Sequence, residues 1–260
     1  MCFNPETSLI AFGVSCISSV IVFCYSIKTK NHEIANIDFI SAVLIFLIGS
    51  MQFLEYFMWS DQACIQKGPN WWASLAVLPV LYFQPVITFF VALWLAYPNL
   101  KKLVHYPFVF LFISGIVIAS FTFVLFQNTR YLLKSDEKEN EKKHKDKSIL
   151  LPFCSRPEKY TKRLIWAPMK YLFIKQSEKS YAFLFFYFLV IFLCSFLVPS
   201  IWRHFPIRAL VLPATFIAAA IYSILYSEKG VGHIGILSDI FDSTWCFLAV
   251  GFGITSVLHI

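Results

Sequence analysis

The sequence predicts an all-α protein, a polytopic bundle of about seven transmembrane helices with one long charged loop between the fourth and fifth. Three observations predict it. Of 260 residues, 58% are hydrophobic and 14% charged, with a mean hydropathy of +0.67; a soluble domain carries roughly 25% charged residues. The charge is gathered in loops, leaving windows of about twenty residues with almost none. Most of the seven tryptophans fall near the ends of those windows, as an interfacial belt does, and 29 phenylalanines supply lipid-facing bulk.

Taken in order, the expected spans are 8–27, 39–59, 72–96, 106–126, 181–201, 209–226 and 236–260. Each is long enough for a hydrocarbon core of ~30 Å at 1.5 Å per residue. The first, "SLIAFGVSCISSVIVFCYSI", has no Lys or Arg before it and no small-residue cleavage site, so it reads as a span and not a signal peptide. The sixth is short and the seventh opens with polar residues, which leaves a six-span alternative. The chain therefore divides into 1–126 (four helices), 127–180 (the loop) and 181–260 (three helices).

The loop has two parts. "KSDEKENEKKHKDKS" mixes six lysines with five acids and no apolar residue, the composition of a solvated, disordered tether. In "RPEKYTKRLIWAPMKYLFIK", apolar residues interleave with basic ones, as in an amphipathic segment lying on an anionic membrane surface, broken by Pro168. Lys159, Lys162 and Arg163 are its candidate head-group contacts; an ordinary basic loop is the alternative. The net charge of +7 matches anionic lipid without calling on nucleic acid, for which no basic helix, stacking motif or zinc pattern appears.

Orientation divides the charge counts. Lys28, Lys30, Lys101, Lys102, Arg203 and Arg208 occupy short loops on one side, against Lys67 and Lys229 on the side of the N-terminus. Those loops alone put the N-terminus outside. The long loop carries 14 of the 22 basic residues and shifts the balance to a cytosolic N-terminus. Cys64 and Cys154 fall on that same side. If it is lumenal, they are candidates for a disulfide joining the second and fourth loops.

Polar residues inside spans are the candidate site. Gln52 and Glu55 share one helical face with Trp59, and Gln84 sits mid-span between Pro79 and Pro85. Those prolines free the carbonyls of Leu75 and Leu81. Asp239 and Asp242 stand three residues apart at the start of the last span. Five such groups form either a polar intramembrane cluster for a cation, proton or small solute, or hydrogen-bonded clamps between helices. No nucleophile–base pair, metal-ligand set or cofactor motif is legible, so an enzyme ranks last.

"MCFNPETSLIAF", "MQFLEYFMW", "FQPV", "CSRPEKYTKRLIW" and "STWCFLAV", in that order, resemble a family of uncharacterised multi-pass membrane proteins of giant DNA viruses and some protists. Asn4 departs from that family's Met-Cys-Phe-Ser start, and the charged tether is longer here. The resemblance implies seven helices and a viral membrane or host endomembrane. It transfers no activity to any residue. The expectation is a transport or channel-like membrane protein, with a structural or membrane-remodelling protein as the alternative.

Overall fold

A computed structural model describes residues 4–65, 67–143, 151–157 and 164–198, together with the isolated positions 218, 254, 256 and 257. Its helices are α1 (Pro5–Lys28), α2 (His32–Ser60), α3 (Pro69–Ala96), the short α4 (Leu100–Leu103), α5 (Pro107–Lys143), α6 (Ala167–Lys175) and α7 (Ser177–Leu197). A 3-10 turn, Tyr97–Asn99, carries α3 into α4. Among the described residues, five helices are long and apolar enough to cross a membrane: α1, α2, α3 with its continuation, α5 and α7. These five correspond to the first five expected spans. The sixth and seventh, with Asp239 and Asp242, lie outside the described residues apart from the isolated positions. Of these, Ser256 is buried and Val257 packs against Val22, Ala42 and Ile45.

Local sequence explains where the helices begin. Asn4 caps α1 by accepting from the Thr7 backbone N–H at 2.8 Å, just ahead of Pro5. Asn31 caps α2 in the same way, accepting from Glu33 N at 3.0 Å. The cap moves the start of α2 seven residues ahead of the expected Phe39, so Asp38 falls inside the helix, fully buried. Pro69 opens α3 directly after Gly68, and the interior prolines Pro79 and Pro85 are accommodated within that helix.

The α1–α2 pair packs through small residues. α1 buries Ser8, Ala11, Ser15, Ser18 and Ser26 along one stripe, and Ser19 Oγ donates to the Ala42 carbonyl across the pair at 2.7 Å. In lipid, close backbone approach of this kind replaces the hydrophobic effect as the source of association. Gly49 marks the closest approach, since a Cβ there would collide with Cβ of Ser15. Gly49→Ala is accordingly expected to cost about 1–3 kcal/mol by overpacking. Gly13→Ala, where a Cβ meets nothing within 4 Å, should be tolerated. Thermal unfolding of the two variants in detergent measures the difference.

The main core lies elsewhere, between α2, α3, α5, α6 and α7, and includes Met58, Val77, Phe89, Phe121, Trp166, Met169, Phe183 and Val190. Two expectations about the long loop are corrected here. The charged tether is helical through Lys143, because α5 runs on for 37 residues, about 55 Å and well beyond a ~30 Å hydrocarbon core. Lys and Glu are good helix formers, and buried Leu132 and Asp136 anchor the extension. Residues 144–150 lie outside the described chain.

The second correction concerns the amphipathic segment. Leu164, Trp166, Met169 and Leu172 are buried against the bundle, so its apolar face is turned into the protein and not onto a membrane surface. Pro168 does not break the segment; it sits in the first turn of α6, where a missing N–H costs nothing. A two-residue antiparallel ladder, β1 (Arg156–Pro157) with β2 (Leu164–Ile165), leads into this helix. Lys159, Lys162 and Arg163 fall between the strands, outside the described residues.

Candidate functional site: a buried polar clamp under a disulfide-bonded cap

Where α2 turns into α3, the chain builds a cap from residues 61–65, 67–68, 151–157 and 164–175. Cys64 and Cys154 are joined by a disulfide with a Cα–Cα distance of 5.4 Å, across a sequence separation of 90. Both cysteines are buried and pack with Leu151. Cys64 is held at φ 55°, a left-handed conformation that non-glycine residues rarely adopt.

Asn70, fully buried in the first turn of α3, ties these pieces together. Its amide NH2 donates to the carbonyls of Met58 (2.9 Å), Asp61 (3.0 Å) and Ser155 (2.8 Å), so at least one hydrogen is shared. Its oxygen accepts from Ser155 N at 3.0 Å and from Ser74 Oγ at 3.1 Å. Ser155 Oγ in turn pairs with Ser74 Oγ at 2.7 Å and accepts from Ala167 N at 3.0 Å, which fixes the entry to α6. One side chain thus joins the end of α2, the start of α3 and the 151–157 segment.

Beneath this latch lies Glu55. It is fully buried, and Trp166 Nε1 donates to its Oε1 at 3.0 Å. A carboxyl group in a helix this apolar is tolerated because the indole of the cap reaches down to it. Gln52, one turn deeper on α2, is also fully buried. Gln84 belongs to a separate clamp. Its NH2 donates to the Leu47 carbonyl of α2 at 3.1 Å, and its oxygen accepts from the Tyr187 hydroxyl of α7 at 3.1 Å. Leu47 precedes Glu55 by eight residues, about 12 Å along the helix. The expected cluster is therefore drawn as two clamps at different depths: Glu55 faces the cap, and Gln84 links α2, α3 and α7.

Outside the bundle, the extension of α5 braces the cap. Trp71 Nε1 donates to Asp136 Oδ2 at 2.9 Å, and the Trp71 ring packs edge-on against Phe153. Tyr171 of α6 packs beside Tyr131. Burial raises its phenol above the ordinary range, opposed by a hydrogen bond with Ser135 and reinforced by the Glu139 charge. Lys179 sits over the Tyr131 ring, 5.1 Å from its centroid. Among the described residues, no group of three or more His, Cys, Asp or Glu side chains is placed to hold a metal.

Several of these residues escaped the sequence reading. Asn70 lies there just outside the third expected span, 72–96, and Trp166 is one apolar member of an amphipathic stripe. Ser74, Ser155 and Tyr187 carry no local signal at all.

The Glu55 clamp has a measurable asymmetry. Trp166→Phe keeps an aromatic ring but removes the indole donor to Glu55 Oε1, a loss of about 1–3 kcal/mol. Glu55→Gln keeps an acceptor for the indole and should cost less. Unfolding midpoints in detergent order the two.

The fold and this site define an α-helical bundle that fits an integral membrane protein, with a covalently closed cap at one end of the bundle. Compared with protein-family models, curated proteins and solved structures, the chain finds no match.

Proposed function

We propose that this is a structural multi-pass membrane protein, in which the intramembrane polar groups hold helices together and do not form a pathway. One observation carries the proposal: Glu55 and Gln84, the carboxyl and the mid-span amide expected to share a polar cluster, are each fully buried and hydrogen-bonded to a different helix or cap residue. A transport site needs its polar groups to converge on one wet cavity, and these two have separate partners. Reconstituted into liposomes with an internal pH dye, the protein is expected to pass no more protons than empty vesicles. A saturable flux that Glu55→Gln removes would overturn the proposal.

The cap also supports an orientation. A disulfide persists on the oxidising side of a membrane, and Cys64 and Cys154 lie at the end that the N-terminus of α1 shares. That end would then be lumenal or extracellular, with Lys28, Lys30, Lys101 and Lys102 cytosolic, as the short loops alone indicate. The long loop's basic residues cease to decide the matter, since part of that loop is bonded into the cap. A host endomembrane or a viral membrane, the locations implied by the family resemblance, both provide such a face. Any head-group contact by Lys159, Lys162 and Arg163 would be electrostatic, because the apolar residues that follow them are committed to the core.

A further inference from the structure

At the end of the bundle opposite the disulfide lies a cavity of about 400 Å³ between the start of α2, the end of α3, α4 and the end of α7. The volume falls within the ~300–1,000 Å³ typical of small-molecule sites. Its lining is two-sided. Buried Ala92 and Leu197 are among the apolar groups, whereas Glu33, Asn36, Asn99 and Lys102 bring an anion, two amides and a cation to it.

Its depth is marked by aromatic residues. At the same end of the bundle, where α3 passes through the 3-10 turn into α4, Trp94 and Tyr97 are 69% and 66% exposed, and Tyr106, after α4, is 66% exposed. Exposed Trp and Tyr collect at the level of lipid head groups, where an apolar ring body and a polar edge are both satisfied. A cavity at that level, apolar on one side and carrying both signs of charge on the other, matches an amphiphile with a zwitterionic head.

We propose that this cavity holds the head group of a phospholipid bearing both a phosphate and a primary amine. Lys102 and the two amides would take the phosphate oxygens, and Glu33 would accept from the amine. Glu33 disfavours a purely anionic head group, and a quaternary amine has no N–H to donate. The acyl chains would leave along the apolar lining. The site is independent of the structural proposal above and lies at the other membrane face.

The test uses the full-length protein in detergent, stripped of co-purifying lipid, with its thermal midpoint followed during titration with dihexanoyl phosphatidylethanolamine. The expected result is a saturable rise, with at least tenfold weaker binding of the phosphatidylcholine analogue and of phosphoethanolamine lacking chains. Lys102→Glu should weaken binding at least tenfold, and Glu33→Gln should erase the preference for the primary amine. Each variant's lipid-free midpoint is measured first, and binding is read as the shift from that value. No rise in the wild-type midpoint would overturn the proposal. So would equal binding by Lys102→Glu, or by phosphoethanolamine alone.

Discussion

Cys154→Ser protein, denatured without reductant and treated with a maleimide-linked polymer, should show one more labelled thiol than wild type, because Cys64 is released. In wild type, Cys64 and Cys154 should label only after reduction. The variant should also unfold more easily. In the chain-entropy account, a bridge closing a loop of this length constrains the unfolded chain by several kcal/mol, and native bridges are typically worth about 2–4. Helices that stay inserted already restrict that loop, which places the expected loss near the lower end, about 2 kcal/mol. Applied to sealed vesicles after mild reduction, an impermeant thiol reagent then reports which face carries the cap. Labelling of Cys64 only from the cytosolic side would reverse the orientation drawn above.

The second large effect is expected at Asn70. Removing its side chain in Asn70→Ala withdraws partners from the carbonyls of Met58, Asp61 and Ser155, the Ser155 N–H and the Ser74 hydroxyl together. The Met58 and Asp61 carbonyls keep Gln62 Nε2 and Cys64 N, and the Ser74 hydroxyl keeps that of Ser155, but the Ser155 N–H and carbonyl lose Asn70 together; at about 1–3 kcal/mol for each buried backbone group left unpaired, a loss of about 3 kcal/mol is expected. The effect should propagate. Without the latch the 151–157 segment is less well held against the start of α3, and a smaller fraction of molecules should form the Cys64–Cys154 bridge. Non-reducing gels of Asn70→Ala alongside wild type read that fraction directly. Asn70→Asp separates the two halves of the side chain, since it keeps an oxygen for Ser155 N and Ser74 while losing the donors. If Asn70→Ala formed the bridge in full and unfolded at the wild-type temperature, the latch would carry no weight.

The two sites respond to different probes. Loss at Asn70 should lower bridge formation, whereas loss at Trp166 should lower stability with the bridge intact, because Glu55 lies beneath the cap and not within it. Gly49→Ala should disturb neither, since α1 meets α2 on another face.

How far the molecule could be read in advance follows from the range of the forces involved. The five apolar helices were legible because a backbone in hydrocarbon must satisfy its own hydrogen bonds, so a run of apolar residues long enough to span has one available conformation. The burial of Gln52, Glu55 and Gln84 followed from the same cost, applied to side chains. The helical extension of α5 was misread because composition alone does not distinguish a charged loop from a charged helix. Its anchors are visible only in the assembled bundle, where Trp71 meets Asp136 and Leu132 is buried in the core.

Taken by itself, the chain determined its solvent, its helices and the residues that must avoid lipid, all consequences of local composition. The tertiary structure alone decided which partner each polar group received. Trp166 meets Glu55 from 111 residues away, and Ser155 meets Asn70 from 85. No local pattern encodes such a pairing. It arises because every buried donor and acceptor must be matched at once, and only the assembled bundle brings the candidates within 3 Å of one another.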